Sequence, residues 1–253
     1  MDCISEGSNE ILRARLEDTM RLCDKRGVPC YLGFLDLREQ AEIQRMLSRI
    51  AGDFWRLFGG YDQAERRILA ICPPYVDTTY AEFPLCSVAF RYRRVCKLTH
   101  RDFLGTLLST GIRRDKIGDI LCGEGFSVVF LHEEIADFIC EQVQRVGGEG
   151  VTSERNYSGP LPLLHQYETI HETVASPRID VLVKTLLRCS REKAAECIRL
   201  GLVSVDHLPL ESVSDTISAP CTISIRGSGR YLIDQIGPQT KKGRLQLLAR
   251  KII

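Results

Sequence analysis

Five cations and one hydroxyl fall close together in the run SPRIDVLVKTLLRCSREKAAECIRL, residues 176–200. Arg178, Lys184, Arg188, Arg191 and Lys193 surround a junction between two short helices, and Ser190 is placed to cap the second. The first amides of a helix lack intrahelical partners and its dipole favours negative charge, so cations gathered there suit a phosphate. Arginine can grip phosphate oxygens in pairs, whereas lysine adds a point charge. Arg226 and Arg230 flank Gly227-Ser228-Gly229 and would bring two more cations to a hairpin tip. The chemistry is that of binding a polyanion.

These residues need two packed helices and a small sheet. Val181, Leu182, Thr185 and Leu186 give the first helix its buried side, Ala194, Ala195 and Ile198 the second, and Gly201 ends it. Leu202–Val205 opens a sheet, and Ile223–Ile225 pairs through a glycine turn with Tyr231–Ile233. Residues 176–253 thus form a small α+β domain, preceded by a connector over 159–175 that has room for one short strand and in which Pro160 and Pro162 interrupt any period.

Residues 79–158 alternate strand and helix in the order β-α-β-β-α-β, with strands at 85–92, 117–122, 126–131 and 151–157 and helices at 100–109 and 133–146. That order is the ferredoxin-like arrangement shared with RRM domains. Residues 1–78 read as a helical N-terminal region. Ile11, Leu12, Leu16, Met20 and Cys23 recur at helical spacing after Ser8-Asn9, Asp36 and Glu39 make a capping box, and the run after Gly59-Gly60 enters another short helix. The fold class is α+β throughout.

The formal net charge of +1 conceals an asymmetry. Residues 1–175 hold 21 Lys+Arg against 26 Asp+Glu, and residues 176–253 hold 13 against 7, so the basic part is the C-terminal third. The eleven cysteines include no C-x-x-C pair, which predicts reduced thiols, many of them in the core, and no metal site. The acidic start MDCISEGSNE has no apolar run, and no uncharged stretch nears the ~20 residues of a membrane span, so a cytoplasmic protein is expected. Lys241, Lys242, Arg244, Arg250 and Lys251 read as a basic tail.

His100-Arg101-Asp102 offers a base beside a carboxylate, but neighbours on a helix diverge by about 100°, which favours capping over catalysis. Gly125–Phe130 has only part of the RRM stacking pattern and reads as an apolar core strand. No glycine run forms a dinucleotide fingerprint, so no cofactor is predicted.

Two resemblances follow from these motifs. Arg178-Ile179-Asp180, Ser190-Arg191, Ala194-Ala195, Gly201–Val205 and Ile225–Arg230 resemble the αL (S-four type) RNA-binding domain. With Gly59–Arg66, Leu98–Gly105, Gly111–Asp119 and Thr173–Ser176, the whole resembles the YlmH family of bacterial RNA-binding proteins. Pro220-Cys221 departs from the Gly-Asp usual there. The resemblance implies a non-enzymatic protein that binds ribosomal RNA on the large (50S) subunit, with peptidyl-tRNA, in rescue of stalled translation, and a link to cell-division proteins. An RNA-modifying enzyme is the alternative, since Arg178-Ile179-Asp180 is similar to the Arg-Leu-Asp run of pseudouridine synthases, though the Ser/Thr-Gly that should follow is missing. A cell-division scaffold using the acidic N-terminal portion is the third reading.

Overall fold

A computed structural model describes residues 3–253 apart from 164, 211 and 242, so Lys242 lies outside the described residues. The chain divides into two compact units, Met1–Leu164 and His165–Ile253.

The first unit opens with α1 (Cys3–Arg26), which buries Leu12, Leu16, Thr19 and Cys23 at three- and four-residue steps. After β1 (Cys30–Leu35) comes α2 (Leu37–Leu47), held by the expected capping box: Glu39 N donates to Asp36 Oδ1 and Asp36 N to Glu39 Oε2, both at 2.8 Å. Then follow β2 (Trp55–Phe58) and β3 (Arg67–Ile71), in an antiparallel sheet of order β1-β3-β2. Residues 1–78 are therefore helical only in part: the two helices expected first are present, but a three-stranded sheet accompanies them, and β3 occupies part of the stretch read as a third helix. The cause is burial on both faces. Leu32, Leu69 and Ile71 pack towards α1 and α2, while Phe34 and Ile68 join a separate core with the next sheet. A strand covered on both sides loses the apolar-polar alternation that would reveal it.

The second sheet comprises β4 (Leu85–Arg91), β5 (Ile117–Cys122), β6 (Phe126–His132) and β9 (Thr152–Arg155), with α3 (His100–Ser109) and α4 (Glu133–Gln142) between them. All pairings are antiparallel in the order β5-β6-β4-β9, which is the ferredoxin-like topology. A small hairpin, β7 (Arg145–Val146) and β8 (Glu149–Gly150), replaces the end of the second helix, because Gly147 and Gly148 turn the chain at φ 55° and 85°. One face of the sheet buries Val88, Phe90, Val129 and Leu131 against Phe103, Leu107, Ala136 and Ile139 from the helices. The other face, Ala89, Leu121, Val128 and Phe130, packs on Phe34 and Ile68. Tyr61 stacks on Phe130 with ring centroids 5.1 Å apart and donates a 2.8 Å hydrogen bond to Asp119, which also accepts from the amides of Glu65 and Arg66. Burial, and then the Asp119 carboxylate, push the Tyr61 hydroxyl far above its ordinary pKa, so it stays a donor.

The second unit begins with β10 (Tyr167–Val174), an eight-residue strand within the segment read as a connector. The short strand expected there is eight residues long: β10 is exposed on both faces over most of its length and among the described strands pairs with β15 alone, so it lacks the apolar-polar alternation that would mark its extent. Helices α5 (Ile179–Leu187) and α6 (Arg191–Arg199) follow, then β11 (Val203–Val205), β12 (Leu208–Pro209), β13 (Cys221–Ile225), β14 (Gly229–Gln239) and β15 (Leu245–Ile252). The antiparallel sheet runs β10-β15-β14-β13-β11-β12, and Ile179, Leu182 and Val183 of α5 share its core with Ile223, Ile233 and Leu247. Each such fully buried aliphatic side chain contributes about 1.5–3 kcal/mol. Of the basic tail, Arg250 and Lys251 lie in strand β15, and Lys241 and Arg244 precede it. Arg250 pairs with Asp234 at 2.6 Å, Lys251 lies over Tyr231, and Arg244 donates to Thr173.

Candidate nucleic-acid interface

The α5–α6 junction is built around a buried carboxylate. Asp180, in the first turn of α5, is 2% exposed, and its two oxygens accept from two arginines. Arg178 donates through Nε to Oδ1 at 3.1 Å and through a terminal nitrogen to Oδ2 at 3.2 Å, and Arg191 donates through Nε to Oδ2 at 2.8 Å. Burial works to raise the Asp180 carboxyl, but the hydrogen bonds and charges of the two arginines outweigh it and hold the group below its ordinary pKa. The ion pair fixes the base of each guanidinium while 39% of the Arg178 side chain and 58% of the Arg191 side chain stay exposed.

The backbone turns sharply between the helices. Arg188 sits at the C-cap of α5 with φ 50° and ψ 45°, a left-handed conformation that usually falls to glycine. Ser190 caps α6 as expected, its hydroxyl accepting from the Lys193 amide at 3.2 Å. Lys184, Arg188, Arg191 and Lys193 are all exposed. Arg191 and Lys193 occupy the first turn of α6, where the helix dipole disfavours a cation and favours an anion.

Of the eight residues picked from sequence, Arg178, Ser190, Arg191 and Lys193 converge directly on the junction, with Lys184 and Arg188 in the last turn and cap of α5. The hairpin cations do not join them. The Arg226 amide donates to the Leu202 carbonyl at 2.8 Å, beyond the C-terminal end of α6, about 13 Å along the helix from Arg191 at 1.5 Å per residue. Arg226 is exposed and Arg230 half-buried, beside a tip turned by Gly227 and Gly229 at φ 82° and 109°. They make a separate basic point. The Pro220-Cys221 departure leaves that hairpin in register, with Cys221 opposite Ile233 and Ile225 opposite Gly229.

Asp180 is the organising residue that the spacing of cations did not reveal. A carboxylate two positions after Arg178 and eleven before Arg191 was its signal. Asp102 is a capping residue, its carboxylate accepting from Thr99 N at 2.8 Å and Thr99 Oγ1 at 2.7 Å, so His100 has no partner in it for base catalysis.

The chain is 32% identical over 216 residues to the ribosome-associated protein quality control protein P2 of Bacillus subtilis (strain 168), a match that covers 83% of this chain and 82% of the relative. Residues 79–158 match the family model described as "Putative RNA-binding domain in YlmH". The chain belongs to the YlmH family. A solved YlmH structure, the cell division protein ylmH from Streptococcus pneumoniae, is similar over 57% of this chain and 90% of its own, with 19% identity and a TM-score of 0.48. In this YlmH chain the sheet face of residues 79–158 that RRM domains use for stacking bases is closed by Phe34, Ile68 and Tyr61. No described helix is long and apolar enough to cross a membrane.

Proposed function

We propose that this protein is a non-enzymatic RNA-binding factor of ribosome-associated quality control, which seats its C-terminal unit on large-subunit ribosomal RNA beside peptidyl-tRNA. One observation carries the RNA reading: Arg178 at the N-cap of α5 and Arg191 at the start of α6 are held by one buried carboxylate, with exposed Lys184, Arg188 and Lys193 on the same two helices and the turn between them. Guanidinium groups fixed before binding lose little freedom on binding, so more of their attraction for phosphate appears as affinity. The unit at 165–253 holds 13 Lys+Arg against nine Asp+Glu, a net +4 that favours a polyanion. The name of the Bacillus subtilis relative supports the ribosomal setting.

Asp180 argues against a synthase-like enzyme. A nucleophile must reach its substrate, and this carboxylate is buried and already receives both arginines. The test is co-sedimentation of the full chain with purified large ribosomal subunits. Arg188→Ala with Lys193→Ala should cut retention at least tenfold, because neither side chain is needed for the Asp180 cluster. Wild-type retention would refute the assignment.

A further inference from the structure

We propose that the β4–α3 loop, through Arg94, Lys97 and Arg101 with Arg145 beside them, is a second phosphate-binding surface that holds structured RNA. The proposal rests on the RNA-binding reading above and gives it a second point of contact, in the first unit.

The run Arg91–Arg101 holds five cations and no carboxylate. Topology gathers its neighbours at one end of the sheet: Arg91 lies opposite Phe126 in β6 and Thr152 in β9, so the β4–α3 loop, the β5–β6 turn and the β7–β8 hairpin share that end. The loop is braced. The Tyr92 amide donates to Gly125 O at 2.9 Å, the Tyr92 hydroxyl to Gly123 O at 2.8 Å, and the Arg93 guanidinium to both oxygens of Glu149 at 2.5 and 2.7 Å. Those bonds use Arg93 and Glu149 on the fold itself. Arg94, Lys97 and Arg101 are left exposed, and among the described residues none has an ion-pair partner. Arg145 is also exposed, one nitrogen bonded to Gly148 O at 2.6 Å.

The acids at this end do not neutralise them. Asp102 is engaged in the α3 capping box, Glu149 is taken by Arg93 and Glu154 by Arg91 at 2.9 Å, which leaves Glu124 in the β5–β6 turn among the described carboxylates of this end. Lys97 and Arg101 also flank the start of α3, where the helix dipole repels cations, so their placement works against the fold and suits an external anion. The capping box already satisfies the Thr99 and Asp102 amides, leaving the side chains rather than the helix end to do the binding. Because the sheet face is closed by Phe34, Ile68 and Tyr61, RNA on this domain must be held at another surface, and this is its most basic end.

The test measures affinity of the full chain for a 40-nucleotide RNA stem-loop across a salt series, for wild type, for Arg94→Ala/Lys97→Ala/Arg101→Ala, and for Arg188→Ala/Lys193→Ala. Loss of three phosphate contacts should weaken binding by about tenfold or more and reduce the slope of log affinity against log salt by about two. Arg94→Lys/Arg101→Lys should keep the wild-type slope, and an unchanged unfolding midpoint in all variants shows that the fold is intact. An unchanged slope in the triple variant, with affinity lost in the α6 variant, overturns this surface and leaves the C-terminal reading standing. Wild-type binding in both overturns the two together. Equal loss against an acidic peptide of the same charge, with no preference for the stem-loop, would also overturn it, because the surface would then be a docking site for acidic protein.

Discussion

Arg191 Nε lies 2.8 Å from Asp180 Oδ2, so an exposed cation of the α5–α6 junction is anchored on a buried carboxylate. Asp180→Asn separates orientation from charge. The substitution removes one negative charge, which alone would strengthen RNA binding, but frees both guanidinium groups. The expected outcome is weaker binding and a unit about 1–3 kcal/mol less stable, read by RNA titration and by denaturant unfolding. Tighter binding would mean that net charge matters and positioning does not.

The same carboxylate sets an acid dependence. Its folded pKa is held below the unfolded value of about 3.9, so it contributes stability above that pH and loses it as pH falls through the folded value. Unfolding free energies measured from neutral pH down to about pH 2 should show the wild-type advantage over Asp180→Asn shrinking below about pH 4. A gap between the two that stayed constant across that range would contradict the linkage.

Arg188 gives a prediction with opposite signs for stability and function. Its left-handed backbone costs an ordinary residue about 1 kcal/mol or more, which glycine avoids. Arg188→Gly should leave the unfolding midpoint unchanged or raise stability by up to about 1 kcal/mol, while RNA affinity falls. Affinity equal to wild type would remove Arg188 from the site.

Closure of the RRM-like sheet face has a structural signature. Tyr61→Phe keeps the stack on Phe130 but deletes a donor to buried Asp119, and should cost about 1–3 kcal/mol. Gly60 adopts φ 101°, and a Cβ there would come within 2.4 Å of Phe130, so Gly60→Ala should cost more, about 2–4 kcal/mol. Neither change should alter the salt slope of RNA binding under conditions where the protein remains folded. A changed slope would mean that this face meets RNA.

Elements with one dry face were legible in the sequence. The α5 and α6 stripes, the Ser190 cap and the Asp36–Glu39 capping box all follow from local chemistry, and the α+β order of residues 79–158 follows from clean changes of period. Elements whose pattern is set by distant partners were not. Strands β1 and β3 are apolar on both faces because two different cores claim them. The β11–β12 turn uses Asp206 and His207 at φ 47° and 66°, where Asn-Gly would be expected; Asp206 is held there by exchanging hydrogen bonds with Thr222 across the sheet. Within the site, charge was readable and its anchor was not. The count of cations located the junction, whereas the separation of Arg226 from Arg191 depends on which end of α6 the hairpin meets.

The proposed function stands on contact between the α5–α6 junction and large-subunit ribosomal RNA. Ultraviolet cross-linking in cells, with both the peptide and the RNA identified, tests it directly. Cross-links are expected from residues 178–193 to large-subunit ribosomal RNA, and are lost in the Arg188→Ala/Lys193→Ala variant. Cross-links confined to residues outside 165–253, or to RNA other than ribosomal and transfer RNA, would contradict it.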